Sequence, residues 1–163
     1  MKMIAQDCMS EAMIGGAREV FEKMVFMQIE SCAHTTSQIE GNLLLSSISF
    51  RNGIDGCLGI CCNKDCARTI AINMLAMSPN DPISDNEIKD ALGEVANMVM
   101  GTVKTAIQSD LKNLHVSIPV VVTGRNLQNS LGEGTERISV TVATSDNYII
   151  ELTLLYRESR EKK

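Results

Sequence analysis

Aromatic residues make up only 3% of this 163-residue chain, with no Trp, and their scarcity removes the stacking platforms on which single-stranded nucleic acid is usually bound. Positive charge is also in short supply. Fifteen Lys and Arg stand against twenty Asp and Glu, giving a net charge of −5 and a pI near 5.0, so the surface has no general attraction for phosphate backbones or anionic lipid. No apolar run approaches the roughly 20 residues of a spanning helix, and the first stretch, MKMIAQDCMSEAMIGG, lacks the continuous apolar centre of a secretory signal. Nucleic acid and membrane are therefore set aside as partners, and the expected location is the cytoplasm.

With 44% hydrophobic and 21% charged residues, the composition is that of an ordinary globular protein, and 163 residues suffice for one domain spanning 1–163. Met, Leu, Ile and Val must fill its core. Six cysteines invite a metal or redox reading, above all Cys57, Cys61, Cys62 and Cys66. Their spacings do not give paired Cys-x-x-Cys, and only His34 and His115 could complete a zinc site, so no metal site is expected. The thiols read as small buried hydrophobes, with Cys57 and Cys61 on one strand face. A cysteine-based metal or redox protein would instead carry stoichiometric zinc or iron.

The stretch that organises the rest is SDNEIKDALGEVANMVMGTVKTAI, Ser84 to Ile107. Ser84 and Glu87 form a capping box that predicts a helix start. At about 100° per residue, Ile88, Leu92, Val95, Val99, Val103 and Ala106 fall on one side. Asp90, Glu94, Asn97, Gly101 and Lys104 fall on the other. Asp90, Glu94 and Asn97, spaced by four and three, align as one exposed stripe. Gly101 continues it, and because a helical glycine costs about 1 kcal/mol relative to alanine, close approach of another backbone is the reason to look for. By itself, the stripe also fits the solvated face of an amphipathic helix.

Elsewhere the pattern predicts an amphipathic helix over 10–26, weakened at its start by Gly15 and Gly16, then a polar loop or edge strand. Strands at 43–50 and 57–62 flank RNGIDG as a hairpin. Asn63 caps a helix over 64–77. A β-branched strand at 116–122 is interrupted by Pro119. TGRNLQNSLGEGTE reads as a flexible connection, and a second hairpin pairs 137–144 with 148–156. The charged tail, 156–163, is expected to fray. The predicted fold is α+β: long helices covering one face of a mainly antiparallel sheet, in two similar halves.

Asp90, Glu94 and Asn97, followed after twenty-one residues by Pro119, resemble the motif of the CheC, CheX and FliY family, in which Asp or Ser, Glu, Asn and a distant Pro recur. That spacing is one residue short of the family's usual one. ALGEVANMVMGTVKTAI is similar to the family's motif helix almost throughout, and the resemblance extends over most of the chain. It implies a phosphatase acting on a phosphorylated CheY-like response regulator. Asn97 would orient the attacking water and Glu94 would pair with the receiver's lysine. Asp90 would support the docking surface; Gly101 is assigned to it here from its place on the stripe. The resemblance also implies Mg2+ held by the partner, no cofactor on this chain, and a CheX-like homodimer. The first helix, tested at Glu19, Glu22 and Val25 for a second copy, lacks the Asn, which is the CheX arrangement. A catalytically silent adaptor that binds a receiver through the same surface is the other reading.

Overall fold

The computed structural model describes residues 6–34, 39–107 and 113–159. The chain runs α1 (Gln6–Glu19), β1 (Ile29–Ala33), β2 (Leu43–Arg51), β3 (Ile54–Asn63), α2 (Lys64–Met74), α3 (Asp85–Ile107), β4 (His115–Val116), β5 (Val120–Gly124), β6 (Glu136–Thr144) and β7 (Ile149–Glu158). All seven strands join one antiparallel sheet in the order β1-β6-β7-β3-β2, with β4 and β5 sharing the outer edge of β2. This is the α+β architecture expected.

The two halves are interlocked. The hairpins β2–β3 and β6–β7 meet at the centre through β3 and β7, and the leading strand of each half crosses to the other half's hairpin: β1 pairs with β6, and β5 with β2. On one face of the sheet Leu44, Ile48, Leu58, Ile60, Val140, Leu152 and Leu154 bury against Leu92, Val95, Val99 and Val103 of α3 and Met9, Met13 and Phe21 of the first helical segment. Each such side chain, fully buried, contributes about 1.5–3 kcal/mol. The second hairpin keeps the expected pairing, Ile138 with Leu154, Val140 with Leu152 and Val142 with Ile150.

Several expectations need correction. The first helix is already formed at Gln6, where the described residues begin, and α1 passes at Glu19 into a π-helical turn, Val20–Met24. Gly15 and Gly16 lie inside it; a Cβ on Gly16 would stand 2.9 Å from Thr102 Cβ, so this glycine lets α1 and α3 approach. The polar stretch after it does contain an edge strand, β1, one of the two forms expected there. Asn63 does cap α2, accepting from Cys66 N at 2.8 Å, but α2 ends at Met74, and Ala76 turns left-handed at φ 52°. The strand expected at 116–122 is two pieces, β4 and β5, broken at Ser117–Pro119. Ala106 is exposed.

The glycine-rich connection is not a loose tether. Leu127 packs with Ile39 on Leu43, Leu45 and Cys61, on the sheet face opposite the helices. Asn129 Oδ1 accepts from Ser47 Oγ at 3.0 Å, and Arg157 donates to Leu131 O at 2.6 Å. The segment is a strap across the second face. The tail is held further than expected too: Tyr156 to Glu158 lie in β7, and Ser159 bonds Gly53 O and Asp55. Residues 160–163 lie outside the described part.

Candidate functional site

The helix that presents the stripe is fixed at its start by the expected reciprocal cap. Ser84 N donates to Glu87 Oε2 at 2.8 Å, and Glu87 N donates to Ser84 Oγ at 3.2 Å. The first of these bonds holds the Glu87 carboxyl below its ordinary pKa. From there Ile88, Leu92, Val95, Val99 and Val103 anchor the buried side of α3. Asp90, Glu94, Asn97 and Gly101 are all exposed on the other. The Asn97 amide lies 3.5 Å from Glu94 Oε2, at the limit of a hydrogen bond, so both groups remain available to an incoming partner.

Beside the stripe is a shallow depression of about 310 Å³ between α3 and the break before β5. Asp90, Glu94 and Asn97 line it together with Asn86, Lys89, Gly93, Pro119 and Val121. Tertiary structure thus brings Pro119 to the motif helix, and Gly93 is what admits it: a Cβ there would lie 3.2 Å from Pro119 Cγ. Gly93 and Lys89 were missed by sequence reasoning. Gly93 carried a signal, a second glycine inside a well-formed helix; Lys89, one residue before Asp90, carried none. Gly101 faces open space: among the described residues nothing lies within 4 Å of where its Cβ would be, so no backbone there approaches it.

In the first helical segment Glu19 and Glu22 pair with Lys23 and Arg18, and Glu22 lies in the π-helical turn, where three- and four-residue spacings no longer align. A different register on α1 repeats the stripe: Asp7, Glu11 and Ile14, spaced by four and three. Ser10 stands where α3 has Gly93, is buried, and reaches His34 at 3.4 Å. Ile14, packed partly against the core, replaces the carboxamide.

The cysteines are free thiols. A hydrogen bond with Cys66, together with burial, pushes the Cys62 thiol up well beyond its usual value, and burial, helped by the Glu151 carboxylate, pushes Cys61 up to about 11. Neutral buried thiols are poor nucleophiles and poor ligands. Among the described residues no three His, Cys, Asp or Glu side chains are grouped to hold a metal ion, and no helix is long and apolar enough to cross a membrane.

An antiparallel sheet of two interlocked halves, with a polar stripe on the long helix of the second, defines a pseudo-symmetric α+β class. Residues 44–143, 100 of the 163, match the family described as "Chemotaxis phosphatase CheX", and the chain belongs to that family. No curated protein matches by sequence. Among solved structures, a CheX–CheY–BeF3–Mg2+ complex from Borrelia burgdorferi is similar at TM-score 0.71 and 19% identity, over 91% of this chain and 97% of that one. Chemotaxis protein CheX from Vibrio vulnificus is similar at TM-score 0.77 and 19% identity, over 96% and 100%. Thermotoga maritima FliY gives TM-score 0.62 at 15% identity, over 98% and 93%. These likenesses define the fold.

Proposed function

We propose that this protein hydrolyses the aspartyl phosphate of a CheY-like response regulator, with Asn97 as the water-orienting group. The observation that carries the proposal is the exposed Asp90–Glu94–Asn97 stripe on a helix anchored along its whole buried side, beside the Pro119 depression. Such a helix can enter another protein's active site without reorganising. A receiver domain supplies its own Mg2+ and lysine, so the remaining requirement is a water held in line with the acyl phosphate. A carboxamide can both donate to and accept from that water without changing protonation. Glu94 pairs with the receiver's lysine and keeps the proteins in register. Asp90 and the open Gly101 extend the docking surface, where Gly101 lets the partner's backbone come close. The family description and the partner named in the Borrelia complex support this choice of substrate.

We further propose a homodimer formed at the edge of the sheet. Among the described residues β5 pairs only with β2, which leaves its other edge open, and Ile118, Val120 and Val122 beside that edge are 82%, 58% and 44% exposed.

The test is phosphoryl decay of CheY-like receivers from the same cell, with and without the protein and its Asn97→Ala and Glu94→Ala variants. Acceleration that disappears in Asn97→Ala while binding persists supports the mechanism. Selective binding of the phosphorylated receiver without faster decay in the wild type would make the protein an adaptor and sink the enzymatic reading.

A further inference from the structure

Within the depression, two carboxylates, Asp90 and Glu94, face outward, and Lys89 is the single cation among the lining residues. An acyl phosphate is itself anionic at neutral pH, so a surface with these carboxylates alone would repel the group it must approach. Lys89 is half-buried and makes no ion pair among the described residues, unlike its neighbour Lys64, whose ammonium lies 3.4 Å from Asp85. It also stands where two depressions meet, the one beside Asn97 and a second of about 300 Å³ that includes Lys64 and Thr123. Gly93, which seats Pro119, lies one helical turn after Lys89, so both border the depression that holds Asn97.

We infer that Lys89 is a specificity-determining residue, the cation by which this surface prefers a phosphorylated receiver domain to an unphosphorylated one. The inference rests on the proposed function, because it assigns Lys89 a partner at the same site. Lys89 performs no chemistry: it offsets the Asp90 and Glu94 charges as the phosphoryl group approaches, while Asn97 orients the water. Its contribution therefore belongs to association and KM, and it is screened by salt.

The experiment measures binding of a CheY-like receiver with and without beryllofluoride and Mg2+, together with decay of the phosphorylated receiver, for wild type, Lys89→Gln, Lys89→Arg and the remote Lys23→Gln. In Lys89→Gln, KM is expected to rise about three- to tenfold with kcat within about twofold. The preference for the beryllofluoride form should shrink by the same factor, and its dependence on salt should flatten. Lys89→Arg should keep the preference, and Lys23→Gln, with the same change in net charge, should leave it unaltered. If Lys89→Gln retains the full preference and salt dependence while Asn97→Ala still abolishes turnover, the enzymatic reading stands and Lys89 is a bystander. An equal loss in Lys23→Gln would assign the effect to net charge and also overturn the inference. Should wild type neither bind nor dephosphorylate any receiver, the functional reading fails, and Lys89 loses its role with it.

Discussion

Pro119 rests against the backbone of the motif helix at Gly93, where an added Cβ would meet Pro119 Cγ at 3.2 Å. That contact joins the two parts of the site, the polar stripe of α3 and the break that precedes β5. Gly93→Ala should be close to neutral for stability, because the helix gains about 1 kcal/mol while Pro119 must give way slightly. Gly93→Val should cost about 1–3 kcal/mol by overpacking against Pro119 and Val121. Urea denaturation measures both, and phosphoryl decay should slow in the order wild type, Ala, Val.

Asn97→Ala should lower kcat by about a hundredfold or more, the scale of losing an oriented reactant. Its stability should stay within about 0.5 kcal/mol of wild type, since the side chain is exposed and bonds at most to Glu94. Glu94→Ala should act mainly on KM. A large shift in thermal midpoint for either variant would mean that the stripe is structural.

Ser84→Ala removes one half of the cap and should destabilise the fold by about 0.5–2 kcal/mol. Because the folded Glu87 carboxyl is held below its ordinary pKa, its contribution is present at neutral pH and is lost as pH falls through the folded value. The difference between wild type and Glu87→Gln should therefore narrow in acid. Chemical denaturation from pH 7 to pH 3 follows it.

Thiol titration under native conditions should find Cys8 reactive, Cys32 slower, and Cys57, Cys61, Cys62 and Cys66 protected until the protein unfolds. The raised Cys61 value, about 11, favours the folded state below its unfolded pKa of about 8.5, and this contribution falls away as pH rises through the folded value. Early modification of the buried four would contradict the packing.

Leu127→Ala, which empties the contact with Leu43, Leu45 and Cys61, should cost about 1–2 kcal/mol, less than a fully buried leucine because the side chain is only partly buried. Limited proteolysis should cut residues 127–131 more slowly than a free loop, because the Asn129 and Leu131 oxygens are held by Ser47 and Arg157. For the proposed dimer, Val122→Lys places a charge beside the open edge of β5 and should shift sedimentation toward the monomer.

Local chemistry alone determined the Ser84–Glu87 cap, the Asn63 cap, the alternation that pairs Val140 with Leu152, and the Asp90–Glu94–Asn97 stripe, because each depends on residues close in sequence or on a regular repeat. β1 left little trace, since an edge strand half-exposed to water carries a weak alternation. Tertiary structure alone decided that β1 and β5 change partners between the halves, that Gly93 receives Pro119, that the strap lies on Leu43 and Leu45, and that Arg157 and Ser159 tie the tail down. Contacts between residues far apart in the chain depend on which surfaces are left to bury once the elements have formed, and no local pattern records that choice. Lys89 follows the same rule: nothing local marked it out, and the groove in which its charge would have a role exists only where β5 meets α3.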